Sequence, residues 1–407
     1  METHLADFVR GTAAGDSAEA IIRKCVHCGF CNATCPTYQL LGDELDGPRG
    51  RIYQIKQMLE GSEATVRTLR HLDRCLTCRA CETTCPSGVE YAKLLDIGRE
   101  VAVARIGRSP LQRMTRWSLR AVMTRTMVFA ALLGLGRTVR ALLPAALRAL
   151  VPSRVAAGEW PAPRHARRML VLDGCVQPAL APRINAAAAR VLDRLGISLV
   201  RVAQAGCCGA LGHHLDAPAE ALGFVRRAID AWWPHVEQGA EAIVMTASGC
   251  GVMVKDYGYL LRDDPVYAGR AARISAMTRD VAEVLMAERG GLAGANRGAG
   301  VRVAFHSPCT LQHGQGLVGV VESILGDAGF ELTRVADAHL CCGSAGTYSI
   351  LQPALSGQLR ERKLAALQAD APALIASANI GCLMHLQSAS TTPVRHWIEV
   401  LDEALES

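Results

Sequence analysis

Several features of nucleotide-dependent and secreted proteins are missing from this sequence of 407 residues. No G-x-G-x-x-G opens a helix after a strand and no P-loop is present, so we predict no dinucleotide or phosphate-loop site, and nothing marks a flavin or pterin site. The first residues, METHLADFVRG, lack the apolar core of a signal peptide, and we therefore expect a cytoplasmic chain whose thiols stay reduced. No Cys/His pair is fixed by local spacing, which leaves no predicted cysteine nucleophile.

Acidic residues are absent between Glu100 and Glu159, a segment that holds ten arginines. Apolar residues recur there at helical spacing on a face that the arginines leave free, although Pro144 should kink or end the helix. We therefore predict basic amphipathic helices, with apolar positions at Leu135, Val139, Leu142, Ala146 and Leu150.

Two kinds of contact suit this basic segment. Its longest uncharged run, Thr126 to Gly136, falls short of the roughly 20 apolar residues that a membrane span needs. Residues 110–152 are predicted either to lie peripherally on the cytoplasmic face of the inner membrane, or to pack as a helical arm on the same protein or on an acidic partner subunit. No nucleic-acid contact is predicted, because no recognition motif accompanies the arginines.

Cysteine is plentiful, and eight of the sixteen cysteines form two copies of the spacing C-x2-C-x2-C-x3-C-P. This spacing is typical of a pair of 4Fe-4S clusters, in which three thiolates of one motif bind one cubane and the fourth binds the other cubane. The rule predicts one cluster held by Cys25, Cys28, Cys31 and Cys85. It predicts a second cluster held by Cys75, Cys78, Cys81 and Cys35.

Zinc and disulfides explain these eight cysteines less well. A zinc site needs four ligands in all, and its C-x2-C pairs are usually set apart, so the third in-line cysteine and the distant fourth have no role there. A disulfide framework does not suit a reducing compartment. We therefore predict metal-bound thiolates.

The other eight cysteines belong to a duplication in the second half of the chain. In each copy a single cysteine precedes a Cys-Cys-Gly triplet by 32 residues, and another cysteine follows after 42 residues in one copy and 40 in the other. The cysteines of the first copy are Cys175, Cys207, Cys208 and Cys250. Those of the second copy are Cys309, Cys341, Cys342 and Cys382.

Short apolar runs alternate with helical segments in both copies, which indicates parallel βαβ units. Each cysteine falls just after a predicted strand, at the sheet edge where open α/β proteins bind ligands. Each copy is predicted to close with a helix, over residues 274–287 and 393–405. A glycine- and alanine-rich linker separates the copies at residues 290–300.

The predicted architecture is an α-helical ferredoxin-type domain with two 4Fe-4S clusters, followed by two α/β repeats of the Cys-Cys-Gly type (CCG repeats). The limits are drawn from the patterns above. They give a ferredoxin-like domain at 1–105, a basic helical connector at 106–165, repeat 1 at 166–289, a linker at 290–300 and repeat 2 at 301–407.

The repeats resemble the CCG domain of heterodisulfide reductase catalytic subunits. In that family a further cysteine, three residues after the last one, completes the ligands of a non-cubane cluster, but here those positions are Met253 and His385. His385 is a candidate iron ligand, whereas the thioether of Met253 is a weaker donor. Two hypotheses stay open, an additional iron-sulfur centre in a repeat or a set of buried thiols. His306, His213 and His214 are predicted to be structural.

Two segments, KCVHCGFCNATCPTYQLLGDELDGPRGRIYQIKQMLEG and HLDRCLTCRACETTCPSGVEYAKLLDIGR, followed by two CCG repeats, resemble the iron-sulfur subunit of bacterial glycolate oxidase over essentially the whole chain. The resemblance implies an oxidoreductase subunit that takes electrons from FAD-binding partner subunits, which oxidise glycolate to glyoxylate, and passes them toward the respiratory chain. It implies no substrate-oxidising site on this chain.

Other functions share the same order of modules. The alternatives are the iron-sulfur subunit of a glycerol-3-phosphate or lactate dehydrogenase, and a heterodisulfide-reductase-like enzyme whose CCG repeats reduce a thiol or a quinone substrate. A further alternative makes the repeats a docking module for the flavoprotein.

Overall fold

The ferredoxin domain is built from helices. The computed structural model describes residues 1–142, 144, 148, 151–292 and 298–406. The helices of the ferredoxin domain are α1 (Ala13–Lys24), α2 (Phe30–Ala33), α3 (Pro36–Leu41), α4 (Pro48–Leu59), α5 (Val66–Asp73), α6 (Ala80–Thr83) and α7 (Tyr91–Ile106), with a 3-10 turn at Glu44–Asp46.

Apolar side chains on α4 and α7 form the centre of this domain. Ile55, Leu94 and Leu95 are fully buried. Gly98 on α7 permits the close approach of the two helices, because a Cβ atom there would lie 2.5 Å from Cγ1 of Ile55. Helix α5 starts with a capping box, in which the side chains of Thr65 and Thr68 bond each other's backbone N–H groups. These contacts hold the two cysteine loops against one core.

The connector contains α8 (Pro110–Met123), α9 (Thr126–Thr138) and a 3-10 turn at Arg140–Leu142. Arg108 forms ion pairs with Asp73 of the ferredoxin domain and with Asp216 of repeat 1, and Arg116 on α8 reaches the same two carboxylates. The connector therefore joins the two parts of the chain by buried charge pairs. Two positions of the predicted amphipathic helix, Ala146 and Leu150, lie outside the described residues.

No helix among the described residues is by itself long and apolar enough to cross a membrane. Helices α8 and α9 meet that requirement of length and composition only when they are taken together, and they meet at a bend of 95°.

Each repeat folds as a parallel four-stranded sheet flanked by helices. The elements of repeat 1 are β1 (Arg167–Val171), α10 (Gln177–Leu180), α11 (Arg183–Arg194), β2 (Ile197–Arg201), α12 (Ala210–His214), α13 (Pro218–Glu237), β3 (Ile243–Met245), α14 (Ser248–Lys255), α15 (Tyr257–Leu260), α16 (Ala268–Met277), β4 (Thr278–Asp280) and α17 (Val281–Ala287), with 3-10 turns at Ala203–Ala205 and Arg289–Leu292. Those of repeat 2 are β5 (Arg302–His306), α18 (Cys309–Gln312), α19 (Val320–Asp327), β6 (Glu331–Leu332), α20 (Tyr348–Leu351), α21 (Pro353–Gln368), β7 (Leu374–Ser377), α22 (Ile380–Gln387), β8 (Val394–His396) and α23 (Trp397–Glu406).

The two sheets have the same topology, with strand orders β2-β1-β3-β4 and β6-β5-β7-β8. Every described pairing is parallel, for example Leu170 with Ile243 and Phe305 with Ala376. Parallel strands place their carboxyl ends, and the cysteines that follow them, at one edge of the sheet.

The prediction of one closing helix in each repeat is wrong in one respect. Strand β4 interrupts the predicted helix over 274–287, and strand β8 takes the first part of the predicted helix over 393–405. Strand β4 pairs with β3, and β8 pairs with β7. Both strands have three residues, too few to show a period of two in the sequence, and their pairing depends on a neighbour that is distant along the chain.

The two repeats share one apolar core. Buried residues of both sheets belong to it, among them Leu285 from repeat 1 and Trp397 and Leu401 from repeat 2. At its rim Arg190 of α11 pairs with the buried Asp402 of α23. The repeats therefore stabilise each other, and their cysteine-bearing edges are held in fixed places.

Candidate iron-sulfur sites

The first cavity lies where the loop of the first motif meets the end of the second motif. The space there, including its opening to solvent, is about 430 Å³. Its cysteines are Cys25, Cys28, Cys31, Cys81 and Cys85. The structure thus brings together the four residues that the spacing rule assigns to one cubane, including the distant Cys85.

The second cavity has the complementary set of cysteines, and its space, including the opening to solvent, is about 360 Å³. Its cysteines are Cys35, Cys75, Cys78 and Cys81. Pro48, Cys81 and Tyr91 line both cavities, so a single layer of side chains separates them.

Left-handed backbone turns curl the two cysteine loops around these cavities. In the first loop His27 and Gly29 have φ values of 59° and 88°. In the second loop Thr77 and Arg79, at the equivalent positions, have φ values of 53° and 60°. Such angles are uncommon for residues other than glycine and collect at functional sites. The turn at Thr77 directs its N–H toward Sγ of Cys75, 3.4 Å away, and bonds of this kind tune cluster potentials.

The segment GPRGR, residues 47–51, places one arginine beside each cavity. Arg49 lines the first cavity and bonds Glu44 over 2.6 Å. Arg51 lines the second cavity and is fully buried, with hydrogen bonds to the carbonyl of His71 and to Thr37. Burial works to lower the pKa of Arg51, but the neighbouring Cys75, Tyr91, Cys35 and Asp46 outweigh it and raise that pKa. The two guanidinium groups offset the negative charge that a thiolate-bound cluster carries.

Some of the thiols that line the cavities have pKa values above the usual range. Burial, and next the charge of Cys25, raises the pKa of Cys31 to about 11. Burial, and next the charge of Cys309, raises the pKa of Cys78. Thiolates are the species that bind metal, and a coordinated metal ion reverses this penalty. The donor set and the cavities therefore fit iron-sulfur clusters.

The four cysteines of each repeat form a continuous row of neighbouring thiols. In repeat 1 the order is Cys175, Cys207, Cys208 and Cys250. In repeat 2 it is Cys309, Cys341, Cys342 and Cys382, and Sγ of Cys309 lies 3.8 Å from Sγ of Cys341. The structure therefore assembles both sets of cysteines that the duplication predicts.

The glycine of each Cys-Cys-Gly triplet has a structural role. Gly343 has a φ of +88°, and a Cβ atom there would lie 2.7 Å from the carbonyl oxygen of Ser356. This conformation directs its N–H toward Sγ of Cys341, 3.4 Å away. Gly209 of repeat 1 repeats the same geometry, with its N–H 3.5 Å from Sγ of Cys207. Glycine suits both positions because of the positive φ angle and because a side chain would press on the backbone of α21 in repeat 2, and less tightly on that of α13 in repeat 1.

The histidines near the repeats occupy different environments. Nε2 of His385, the candidate iron ligand, lies 3.1 Å from Oγ of Ser356. His213 pairs with Asp96 of the ferredoxin domain at 3.0 Å, and His214 lies near the same carboxylate. His306 lies instead in the buried core of repeat 2, where a ring nitrogen and the sulfurs of Cys342 and Cys382 lie within 4.8 Å of one another.

The two rows of thiols differ in their access to solvent. All four cysteines of repeat 2 are buried. In repeat 1 Cys175 and Cys250 are only partly buried, whereas Cys207 and Cys208 are buried. Cys207 nevertheless lies in the wall of an open cleft between that repeat and the α8–α9 bend. Arg120 and Arg227 line the same cleft.

Repeat 2 lies directly against the second cavity. Cys78 packs on a buried apolar group that contains Leu76, Cys309, Cys341 and Tyr348. This contact joins the second ferredoxin motif to the first two thiols of repeat 2.

Sequence reasoning missed two residues of these sites. The cysteine spacing gives no role to Arg51, because its burial depends on how α4 packs. The sequence predicts a structural role for His306, because strand position alone does not reveal that β5 brings its ring to Cys342 and Cys382.

Comparisons with known proteins agree with this organisation. A model of the 4Fe-4S dicluster domain matches residues 21–89, and a model of the cysteine-rich CCG domain matches residues 169–255 and 303–387. The glycolate oxidase iron-sulfur subunit of Escherichia coli (strain K12) is 54% identical over 407 residues, which cover 100% of both chains. The probable glycolate oxidase iron-sulfur subunit of Bacillus subtilis (strain 168) is 28% identical, over 91% of this chain and 89% of the relative.

A more distant relative covers part of the chain. Lactate utilization protein A of Exiguobacterium sp. (strain ATCC BAA-1283 / AT1b) is 26% identical over 57% of this chain and 96% of its own length. Full-length similarity thus points to one group of proteins, in agreement with the paired cysteine motifs and the two repeats. The chain belongs to the family of glycolate oxidase iron-sulfur subunits.

Proposed function

We propose that this chain is the electron-transfer subunit of a glycolate oxidase. In this function, FAD-binding partner subunits oxidise glycolate to glyoxylate, and this chain takes their electrons and passes them toward the respiratory chain. The observation that carries the proposal is 54% identity, over the whole length, to the E. coli glycolate oxidase iron-sulfur subunit. The lactate utilization relatives cover little more than half of the chain, and they therefore give less support for lactate as the substrate of the complex.

A reconstitution separates electron transfer from substrate oxidation. Partner flavoprotein subunits are assayed with glycolate, first with an artificial acceptor that takes electrons from flavin and then with membrane quinone. The proposal expects dye reduction without this chain, and quinone reduction only when this chain is added. Quinone reduction at an equal rate without the chain would contradict it.

We also propose that the chain holds two 4Fe-4S cubanes with crossed ligands. One would be held by Cys25, Cys28, Cys31 and Cys85, and the other by Cys75, Cys78, Cys81 and Cys35. Each cubane, when bound, supplies a one-electron acceptor. The composition of the two cavities supports the assignment, and their shared wall at Pro48, Cys81 and Tyr91 supports a short distance between the two sites.

The residues of the chain set the conditions for this transfer. Arg51 and Arg49 supply positive charge beside the two sites, which favours the reduced and more negative state of each. Tyr91, which is buried, excludes water from the wall between the cavities. Two electrons from a reduced flavin then leave one at a time.

Single ligand substitutions test the crossing. The proposal expects Cys85→Ser to alter the EPR signal of the cluster bound by the first motif, and Cys35→Ser to alter the other signal. Hyperfine patterns that group Cys85 with Cys75, Cys78 and Cys81 would overturn it.

The partners and the site of action follow from the same proposal. The FAD-binding subunits of the complex are the proposed partners, and the proposed location is the cytoplasm, with peripheral contact at the inner membrane. The α8–α9 arm supports the membrane contact, because no side chain of α9 is buried and no acidic residue occurs on either helix. Its exposed apolar residues are Leu111, Met114, Trp117, Met127, Val128, Leu132, Leu135, Val139 and Leu142.

Liposome flotation tests the membrane contact. The double variant Leu132→Ser/Leu135→Ser should float less with anionic vesicles than the wild type, while Val318→Ser, an exposed position outside the arm, should float equally well. Equal flotation of all three proteins would contradict the proposed membrane contact. Loss of the flavoprotein partner by the double variant, with flotation unchanged, would assign the arm to an acidic partner subunit.

We also propose the domain limits given by the sequence patterns, from the ferredoxin-like domain at 1–105 to repeat 2 at 301–407.

A further inference from the structure

Repeat 2 differs from repeat 1 at the positions that surround its thiols. His306 stands three residues before Cys309, where repeat 1 has Leu172 three residues before Cys175. Ser377 stands five residues before Cys382, where repeat 1 has Met245 before Cys250. The duplication therefore retains four thiols in both copies, but it provides a nitrogen donor and a hydroxyl only in the second.

One ring nitrogen of His306 has no hydrogen-bond partner among the described residues. The side chain is buried, with 2% of the residue exposed. Nδ1 lies 3.0 Å from Oγ of Ser377, whereas Nε2 is buried and unpaired. An unsatisfied nitrogen in a core costs free energy unless something outside the polypeptide occupies it. Because Ser377 holds Nδ1, the structure leaves Nε2 as the nitrogen that is free to bind a metal.

The sulfur atoms near this nitrogen have the spacing of metal ligands. A ring nitrogen of His306 and the sulfurs of Cys342 and Cys382 lie within 4.8 Å of one another. The sulfurs of Cys309 and Cys341 are 3.8 Å apart, which is about the separation of two thiolates on one tetrahedral ion with metal–sulfur bonds of about 2.3 Å. Four thiols and one imidazole exceed the four ligands of a structural zinc site.

A buried cation faces the same thiols. Lys363 is buried, and its ammonium group donates a hydrogen bond to the carbonyl oxygen of Asp337 over 2.8 Å. Its charge interacts with Cys341, Cys342 and Cys309. A cation at this place suits a negatively charged centre better than a row of neutral thiols, in the same way that Arg51 suits the second cavity.

We propose that repeat 2 binds an iron-sulfur centre through Cys309, Cys341, Cys342, Cys382 and Nε2 of His306, and that His385 is not a ligand. The contact of Cys78 with Cys309 and Cys341 places this centre next to the second cubane. One electron from the reduced cubane would reduce this centre by one electron and leave the cubane oxidised. This transfer of an electron to the centre rests on the proposed electron-transfer function, whereas the ligand set does not.

Isotope labelling of the full chain tests the ligand set without any substitution. The anaerobically purified wild type is prepared with 15N-histidine, its iron, zinc and sulfide are quantified, and its EPR signals are examined for nitrogen hyperfine coupling. The proposal expects more than about eight irons per chain, the content of two 4Fe-4S cubanes, and one signal with a 15N coupling. Zinc in repeat 2, about eight irons, or no 15N coupling would overturn it.

Variants identify which histidine gives the coupling. His306→Ala should remove the coupling and lower the iron content toward about eight, while the two cubane signals persist. His385→Ala should keep the coupling, and so should His313→Ala, a matched control whose ring is bonded to Thr83 and to the carbonyl of His339. Coupling that survives His306→Ala, or disappears in His385→Ala, would contradict the assignment.

Failure of the wider function remains separable from failure of this centre. A complex that carries the nitrogen-coupled centre but cannot oxidise glycolate would overturn the proposed function and leave the ligand set intact. If His306→Ala does not fold, a labelled wild type without coupling still overturns the proposal, and loss of the coupling in His385→Ala or His313→Ala still overturns the assignment to His306.

Discussion

The hydroxyl of Tyr348 in repeat 2 donates a hydrogen bond to the carbonyl oxygen of Arg74, over 3.1 Å. Arg74 immediately precedes Cys75, the first cysteine of the second motif. Tyr348 is buried and belongs to the same apolar group as Cys309 and Cys341. A single residue therefore fixes the second ferredoxin loop against the thiols of repeat 2.

Tyr348→Phe should loosen this contact while it leaves the apolar packing in place. We expect a loss of about 1 kcal/mol in the free energy of unfolding, because the carbonyl of Arg74 loses its partner. Hydrogen exchange should become faster at Cys75 and Leu76. Tyr53→Phe, at an exposed tyrosine, is the control and should leave these two amides unchanged. Equal protection in Tyr348→Phe would show that the hydrogen bond does not hold the loop.

Removal of Arg51 should lower the reduction potential of the second cluster. The loss of a buried positive charge near an anionic cluster disfavours the added electron, by an amount on the order of 100 mV for charges about 6 Å apart at an effective dielectric constant of about 20. Arg51→Lys, which retains the charge, should give a smaller shift than Arg51→Gln. Potentiometric EPR titration measures both.

Arg49 provides a comparison at the first cluster. Its side chain is 34% exposed, so solvent screens its charge, and Arg49→Gln should shift the potential of the first cluster by less than Arg51→Gln shifts that of the second. A larger shift from Arg49→Gln would contradict the assignment of one arginine to each cavity.

Gly343→Ala should destabilise repeat 2 more than Gly346→Ala. Both glycines have positive φ angles, but a Cβ atom on Gly343 collides with backbone of α21, whereas one on Gly346 meets nothing within 4 Å. We expect a difference of about 1–3 kcal/mol in the free energy of unfolding, measured by denaturant titration under anaerobic conditions. Equal losses would mean that the positive φ angle, and not the contact with Ser356, determines the need for glycine.

Asp280 should make stability depend on pH. Burial raises the pKa of this carboxyl to about 6. The folded chain then binds a proton that the unfolded chain releases near pH 4, so the contribution of this group to stability is greatest below about pH 4 and is lost as pH rises to about 6. Asp280→Asn removes this dependence. As pH rises from 5 to 7, the free energy of unfolding of Asp280→Asn should therefore increase by roughly 1 kcal/mol relative to that of the wild type.

The substitution at Asp280 retains most of the local hydrogen bonds. Asn is a good N-cap, and its side-chain oxygen can still accept from the backbone N–H of Ala282. The amide of Gln315 can turn so that its buried, unpaired oxygen accepts from the new side chain, in exchange for its long hydrogen bond to the carbonyl oxygen of Ser248. Parallel pH curves for the two proteins, measured by denaturant titration, would show that Asp280 does not titrate in this range.

The arrangement of the cysteines could be predicted from the sequence because cluster ligation requires a fixed local spacing. Cys25, Cys28 and Cys31 must reach one cubane from one loop, and the repeated Cys-Cys-Gly triplets record the duplication in the same direct way. The main strands were also predictable, since buried parallel strands such as β1 and β5 are continuous apolar runs.

Contacts between distant elements were not predictable in the same way. Strands β4 and β8 exist only through pairing with β3 and β7, and their own residues resemble the start of a helix. The buried charge of Arg51 interacts with Asp46, Cys75 and Tyr91, which different segments supply. The same holds for His306, whose surroundings come from β7 and α22.

The most direct test of the electron-transfer function is rapid-freeze EPR of the assembled complex after mixing with glycolate. The account predicts that the iron-sulfur signals of this chain appear at least as fast as the enzyme turns over, and that Cys31→Ser slows both the signals and quinone reduction. Clusters that stay oxidised while glycolate is consumed and quinone is reduced at the full rate would contradict it.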